Sequence, residues 1–138
     1  MSVVRLLKSY NIRSTRQRAE VLAGVISFKQ RHFSSEDVLS FLTQKKRKVS
    51  RATTFRTLRL FSKKGLLRSL DLGKGWAIYE VAVDSPHHDH LYCIKCGKII
   101  EFEEHQIERL QDKACRKRNF RSLGHTLRIV GFCRECQK

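Results

Sequence analysis

Residues 50–81 read SRATTFRTLRLFSKKGLLRSLDLGKGWAIYEV, and their pattern decides the architecture of the N-terminal half. Ser50 has a hydroxyl that can cap a helix, and Gly65 tolerates the left-handed conformation that often follows a helix C-terminus. Together they bracket a helix running to about Lys64. On a helical wheel Thr54, Leu58 and Phe61 share one side, whereas Ala52, Arg56, Arg59 and Lys63 line the other. The first stripe can pack on a core, and a basic stripe opposite it suits a helix laid into a DNA groove. For a single helix in isolation, a solvated face would be the commoner reading of the basic stripe. The residues after Gly65 shift that balance. Leu66–Leu70 and Ala77–Val81 are strand-like runs joined by Asp71–Gly75, whose glycines permit the turn. Helices followed by such a hairpin make a winged helix-turn-helix, with the Ser50 helix as its reader.

Upstream, Ser2–Tyr10 forms a short amphipathic pattern with Val3, Val4 and Leu7 on one side. Thr15 to about Phe28 is a stronger one, with Ala19, Leu22, Val25 and Ile26 sharing a face. Ser34, followed three residues on by Asp37, is a variant of the capping box and predicts a helix with Val38, Phe41 and Leu42 inward. Lys45–Lys48 is a basic connector.

Downstream, composition changes around the chain's single proline, Pro86, so residues 83–86 read as a hinge between a DNA-binding domain, 1–82, and a second domain, 87–138. In the second domain His90–Ile94 and Ile99–Phe102 read as strands around a Cys96-Gly97 turn. A helix should follow Glu103 and Glu104 and run to about Asn119 with Ile107, Leu110 and Ala114 inward, before a last strand over Thr126–Phe132. The expected class is α+β.

The charge pattern supports this division. The chain of 138 residues carries a formal charge of +16. Residues 1–64 hold 16 Lys/Arg against 3 Asp/Glu, whereas residues 65–138 hold 13 against 10. A polyanion site, most simply for nucleic acid, therefore belongs to the first half. Arg5 and Lys8 interrupt the first apolar run, which excludes a secretory or spanning segment there and predicts a cytoplasmic protein without a membrane partner. In a reducing compartment, cysteines spaced C-x2-C are read as metal ligands before disulfides.

The ligand chemistry concentrates in PHHDHLYCIKCGK, residues 86–98. Cys93 and Cys96 pair in grammar with Cys133 and Cys136, a set suited to a structural zinc site that leaves no coordination position open. In an extended segment His88 and His90 face one way while His87 and Asp89 face the other, so one strand can seed two mixed imidazole/carboxylate sites. Such donors suit Fe(II), Mn(II) or Zn(II). Spacing alone leaves the completing residues open among His32, Glu80, Glu101, Glu103, Glu104, His105, Glu108 and His125. Cys115 reads as a small buried hydrophobe rather than a redox sensor.

With SRATTFRTLRLFSKKGLL, HHDHLYCIKCGKIIEF and CRECQ in place, nearly the whole chain resembles the ferric uptake regulator family of metal-dependent repressors. The resemblance implies a homodimer, with an N-terminal winged helix on a palindromic double-stranded DNA operator and a C-terminal α/β dimerisation domain. It also implies a regulatory site of His32, Glu80, His90 and Glu101 with His88 as fifth ligand, and a second site of His87, Asp89, Glu108 and His125. Arg13 would reach toward the minor groove, Phe55 and Arg56 would meet bases, and Arg18, Thr53 and Thr54 would touch phosphates. Fe(II) is the implied effector beside the structural zinc, and Mn(II) or Zn(II) would accept the same donors. The family usually has tyrosine where this chain has Phe55, which puts operator preference in question. Its peroxide-sensing branch often has aspartates at the positions of Glu80 and Glu101, so the glutamates favour a sensor of metal availability. A metal-dependent hydrolase and an RNA-binding zinc protein are the competing classes. The first lacks a persuasive base or nucleophile beside the cluster and leaves the basic helix unexplained. The second has few aromatic residues for base stacking, with one Trp and three Tyr.

Overall fold

The computed structural model describes residues 2–28, 30–82 and 88–138. Two compact units emerge, Met1–Ser85 and Pro86–Lys138. The expected hinge, 83–86, lies outside the described residues.

The first unit runs α1 (Val3–Ser9), α2 (Arg16–Ser27), β1 (Phe33–Ser34), α3 (Ser35–Gln44), α4 (Arg51–Lys63), β2 (Leu67–Leu70) and β3 (Ile78–Val81). Each helix begins on a hydroxyl cap: Ser2, Thr15, Ser34 and Ser50 accept from amides three residues on. At Ser34 the box is complete, because the Asp37 carboxylate accepts in return from the Ser34 amide at 2.8 Å. Each such cap is worth about 1 kcal/mol. Helix α4 stops where Gly65 takes φ of 84°, and the amides of Gly65 and Leu66 donate back to the carbonyls of Ser62 and Phe61. This Schellman closure satisfies the last helical carbonyls and turns the chain straight into β2.

The core lies between these helices and the hairpin, and includes Leu7, Val21, Leu22, Val25, Val38, Leu42, Leu58, Phe61 and Leu66. Truncating one of its leucines to Ala would cost about 2–5 kcal/mol. Gly24 is required for close approach, since a Cβ there would meet Leu42 Cδ2 at 2.9 Å. Two sequence expectations need correction. Ile26 is exposed and Val21 is buried in its stead, so the buried face of α2 is rotated toward Val21, Leu22 and Val25. Val4 is likewise exposed, leaving Leu7 as the fully buried residue of α1. Strand β1 was not expected; it pairs antiparallel with β3, giving the order β1-β3-β2. Two residues are too short for an alternation signal.

The second unit runs β4 (Asp89–Cys93), β5 (Ile99–Phe102), α5 (His105–Arg116) and β6 (Arg128–Gly131), closing in a 3-10 turn at Arg134–Cys136. Strand β4 is central, antiparallel to β5 and parallel to β6. The expected inward face of α5 is not inward in this chain: Leu110 is 65% exposed, Ala114 is exposed, and Ile107 and Cys115 are only half-buried. Ile100, Ile129, Val130 and Phe132 are exposed as well. A sheet and one helix in this unit bury too little by themselves to cover those side chains.

Candidate metal sites and nucleic-acid interface

Because β4 is extended, its side chains alternate between faces. On one face His90 stands directly opposite Glu101 of β5. His88 joins them, with its Nε2 3.3 Å from Glu101 Oε1 and its ring centroid 4.8 Å from that of His90. On the other face Asp89, 1% exposed, lies with His125 and Glu108. His125 Nε2 is 3.6 Å from Asp89 Oδ1 and 3.2 Å from Glu108 Oε1. His87, expected in this second set, lies outside the described residues. Of the wider set left open by spacing, Glu103 and His105 are exposed, and Glu104 caps α5 by accepting from the Gln106 amide.

The same strand ends in the thiol set. Cys93, Cys96, Cys133 and Cys136 bring their sulfurs within 4.8 Å of one another, with Cys96 and Cys133 3.7 Å apart. Two tight turns deliver them: the Gly97 amide donates to the Cys93 carbonyl, and the Cys136 amide to the Cys133 carbonyl. Backbone amides, first that of Cys133 and then that of Cys96, pull the Cys93 thiol down to about 6. Its neighbour goes the other way. The Cys133 side chain, reinforced by burial, pushes Cys136 up to about 12. Burial also raises Cys133. Four thiolates this close repel one another unless a cation holds them, and tetrahedral Zn(II) is the ion that such a donor set fits. The imidazole and carboxylate groups on β4 fit a harder divalent ion.

In the first unit, His32 and Glu80 are brought together, with His32 Nε2 3.2 Å from Glu80 Oε2. Glu80 is 1% exposed and its other oxygen accepts from Arg68 Nη1 at 2.8 Å. Arg68 was not singled out from the sequence. Its place follows from the hairpin register, which sets Arg68 directly opposite Glu80 and is not a local signal.

Helix α4 presents Ala52, Arg56, Arg59 and Lys63 to solvent while Thr54, Thr57, Leu58 and Phe61 are buried. Thr54, expected at a phosphate, is therefore corrected: it is fully buried and its hydroxyl donates to the Ser50 carbonyl at 2.9 Å. Thr53 is half-buried, and Arg56 Nη2 reaches its hydroxyl at 3.4 Å. Phe55 is half-buried, its ring 5.7 Å from the Arg51 guanidinium. Arg51 is in turn held by Glu36 of α3. Arg13 is exposed, and Arg18 Nη1 donates to its carbonyl at 2.9 Å, which fixes the loop ahead of α2.

A winged helix with a basic reader face, in one chain with a small sheet loaded with thiol, imidazole and carboxylate donors, defines the class: a metal-responsive DNA-binding regulator. The chain belongs to the ferric uptake regulator family, whose model matches residues 9–130. It is 34% identical over 136 residues to the ferric uptake regulation protein of Neisseria meningitidis serogroup C, covering 99% of this chain and 94% of that one. The structure of the ferric uptake regulator from Francisella tularensis with iron superposes with a TM-score of 0.83 at 31% identity, over 92% of this chain and 96% of the other. The Helicobacter pylori regulator, described as having three functional metal binding sites, gives 0.82 at 28% identity, over 100% and 95% of the two chains. Members of this family are transcription regulators and not enzymes, which removes the hydrolase reading and leaves DNA, rather than RNA, to account for the basic helix. Among the described residues no helix is long and apolar enough to cross a membrane.

Proposed function

We propose that this regulator senses Fe(II) in the cytoplasm and represses promoters by holding two reader helices on a palindromic operator as a homodimer. The observation that carries the reading is the sorting of donors by β4: His88 and His90 with Glu101 on one face, Asp89 with His125 and Glu108 on the other, and Cys93 at its end.

In this reading His32 and Glu80 of the first unit join His88, His90 and Glu101 of the second around one divalent ion. The ion supplies positive charge that a set of buried carboxylates and imidazoles can share. An ion held by residues of both units would couple the DNA-binding unit to the dimerisation unit. By linkage, whatever favours that arrangement favours DNA by the same factor. The thiols hold Zn(II) and fix the sheet's ends, whereas His87, Asp89, Glu108 and His125 form an auxiliary site. On DNA, Phe55 and Arg56 meet bases, Arg13 reaches toward the minor groove, and Arg18 and Thr53 meet phosphates.

The dimer is supported by the uncovered apolar side chains of α5 and β6, which a second copy would bury. A titration of Fe(II), Mn(II) and Zn(II) against a palindromic duplex, at stated salt and under anaerobic conditions, tests the reading. Binding that responds to Fe(II) at the lowest free concentration supports it. Binding that ignores all three ions, or that answers to Mn(II) or Zn(II) first, refutes the iron assignment.

A further inference from the structure

Glu80 meets a permanent cation inside its own unit. Arg68 and Glu80 oppose each other across the β2–β3 ladder, and the guanidinium donates to Oε1 at 2.8 Å while His32 faces Oε2. The carboxylate is 1% exposed, and the Arg68 side chain is one-third exposed. A buried carboxylate is costly unless a positive group neutralises it. A guanidinium does so at every working pH, because it keeps its proton.

We infer that Arg68 is a built-in competitor that sets the affinity of the regulatory metal site. This rests on the proposed role of Glu80 as a ligand. Without an ion, Arg68 neutralises Glu80 and stabilises the metal-free fold. With a divalent ion held by Glu80, the carboxylate would already have its positive neighbour, so the guanidinium would contribute less and would repel the newcomer. A group that stabilises the metal-free form more than the metal-bound form weakens binding by that same ratio.

An opposing effect exists, since a hydrogen bond from behind can orient a ligand and strengthen binding. Here the orientation has other supports: Glu80 lies on the central strand of its sheet, held there by the β2–β3 ladder, and its side chain is fully enclosed. Removing the charge therefore acts mainly through electrostatics. The consequence is a sensor whose threshold is raised by one residue of the wing.

The test uses Mn(II) alone as an air-stable probe on the zinc-loaded 138-residue chain. Arg68→Gln retains a donor and removes the charge, and Arg68→Leu removes both while keeping apolar packing of the stem. Each folded variant is expected to bind Mn(II) roughly tenfold more tightly, and to melt earlier than the parent when Mn(II)-free. Arg68→Lys, which keeps the charge, should stay close to the parent. Equal or weaker Mn(II) binding by either folded charge-free variant overturns the inference. Glu80→Gln separates the two levels. If it leaves Mn(II) affinity unchanged, Glu80 is not a ligand and the underlying site reading fails; if it abolishes binding while Arg68→Gln changes nothing, only the competitor role falls.

Discussion

His90 and Glu101 stand directly opposite each other on β4 and β5, so their side chains project from one face of the sheet, and His88 returns to that face two residues earlier. This geometry places His90 and Glu101 on strands rather than loops, where their spacing is held by backbone hydrogen bonds. His90→Ala should weaken Mn(II)- or Fe(II)-dependent DNA binding by roughly tenfold or more. The thiol set uses no atom of His90, so one zinc per chain and the oligomeric state should persist. Fluorescence anisotropy on a labelled duplex, with metal analysis of the same sample, reads both. An unaltered metal dependence would remove His90 from the regulatory site.

The thiols titrate in opposite directions, which gives zinc binding a pH signature. Cys93, lowered to about 6, is already a thiolate at neutral pH. Cys136, raised to about 12, and Cys133, raised by burial, are still protonated there. Zinc must therefore displace at least the protons of Cys133 and Cys136, and its apparent affinity should climb with pH through the neutral range. As pH falls through about 6, Cys93 takes up a proton as well and affinity should drop more steeply. Competition titrations with a chromophoric chelator at several pH values check this, and a flat profile would contradict it. Cys93→Ser should lose zinc and melt earlier, whereas retention of one zinc with the parent's melting curve would remove Cys93 from the zinc set.

On α4, Arg56 is exposed at the centre of the basic stripe, while Lys63 lies one helix end away. Arg56→Ala should cost about 1–3 kcal/mol on the preferred operator and relax discrimination at one base position. Lys63→Ala should weaken all duplexes about equally and lower the salt slope by about one. Phe55→Tyr restores a hydroxyl on a ring that can already pack on a thymine methyl, so it should change which base is preferred more than overall affinity. A panel of duplexes varied one base pair at a time distinguishes these outcomes.

Much of the fold and of the donor sets was legible in the sequence because the signals were local. Ser34 with Asp37 marked α3, Ser50 and Gly65 bracketed α4, and the alternation of His88, Asp89 and His90 already sorted two donor faces. The register partner of Glu80 was not legible, since Arg68 is twelve residues away and its meaning depends on how the hairpin pairs. Ile26 was misplaced because an apolar residue at the edge of a helical stripe can fall on either side of the buried arc, and Val21 takes the inner position. Thr54 carried two roles in the sequence, core and phosphate contact, and burial decides for the first. The face of α5 could not be judged from one chain at all, because apolar periodicity records burial without saying whose surface supplies it.

A second copy of the chain is the natural cover for that face. Leu110 is 65% exposed on α5, and Ile129 and Val130 are exposed on the edge strand β6. Several exposed apolar groups of this size in one small unit are characteristic of association surfaces. Leu110→Glu or Ile129→Glu would force a charge into a desolvated contact, at a cost that exceeds what a single truncated methyl group would produce. The charged variants should sediment as monomers or shift strongly toward them, and should lose operator affinity because one chain can engage only one half-site. The thiol set and β4 lie within one chain, so zinc content should be retained. Sedimentation velocity over a concentration series reads the association, and a charged variant that remains as dimeric as the parent would place the interface elsewhere.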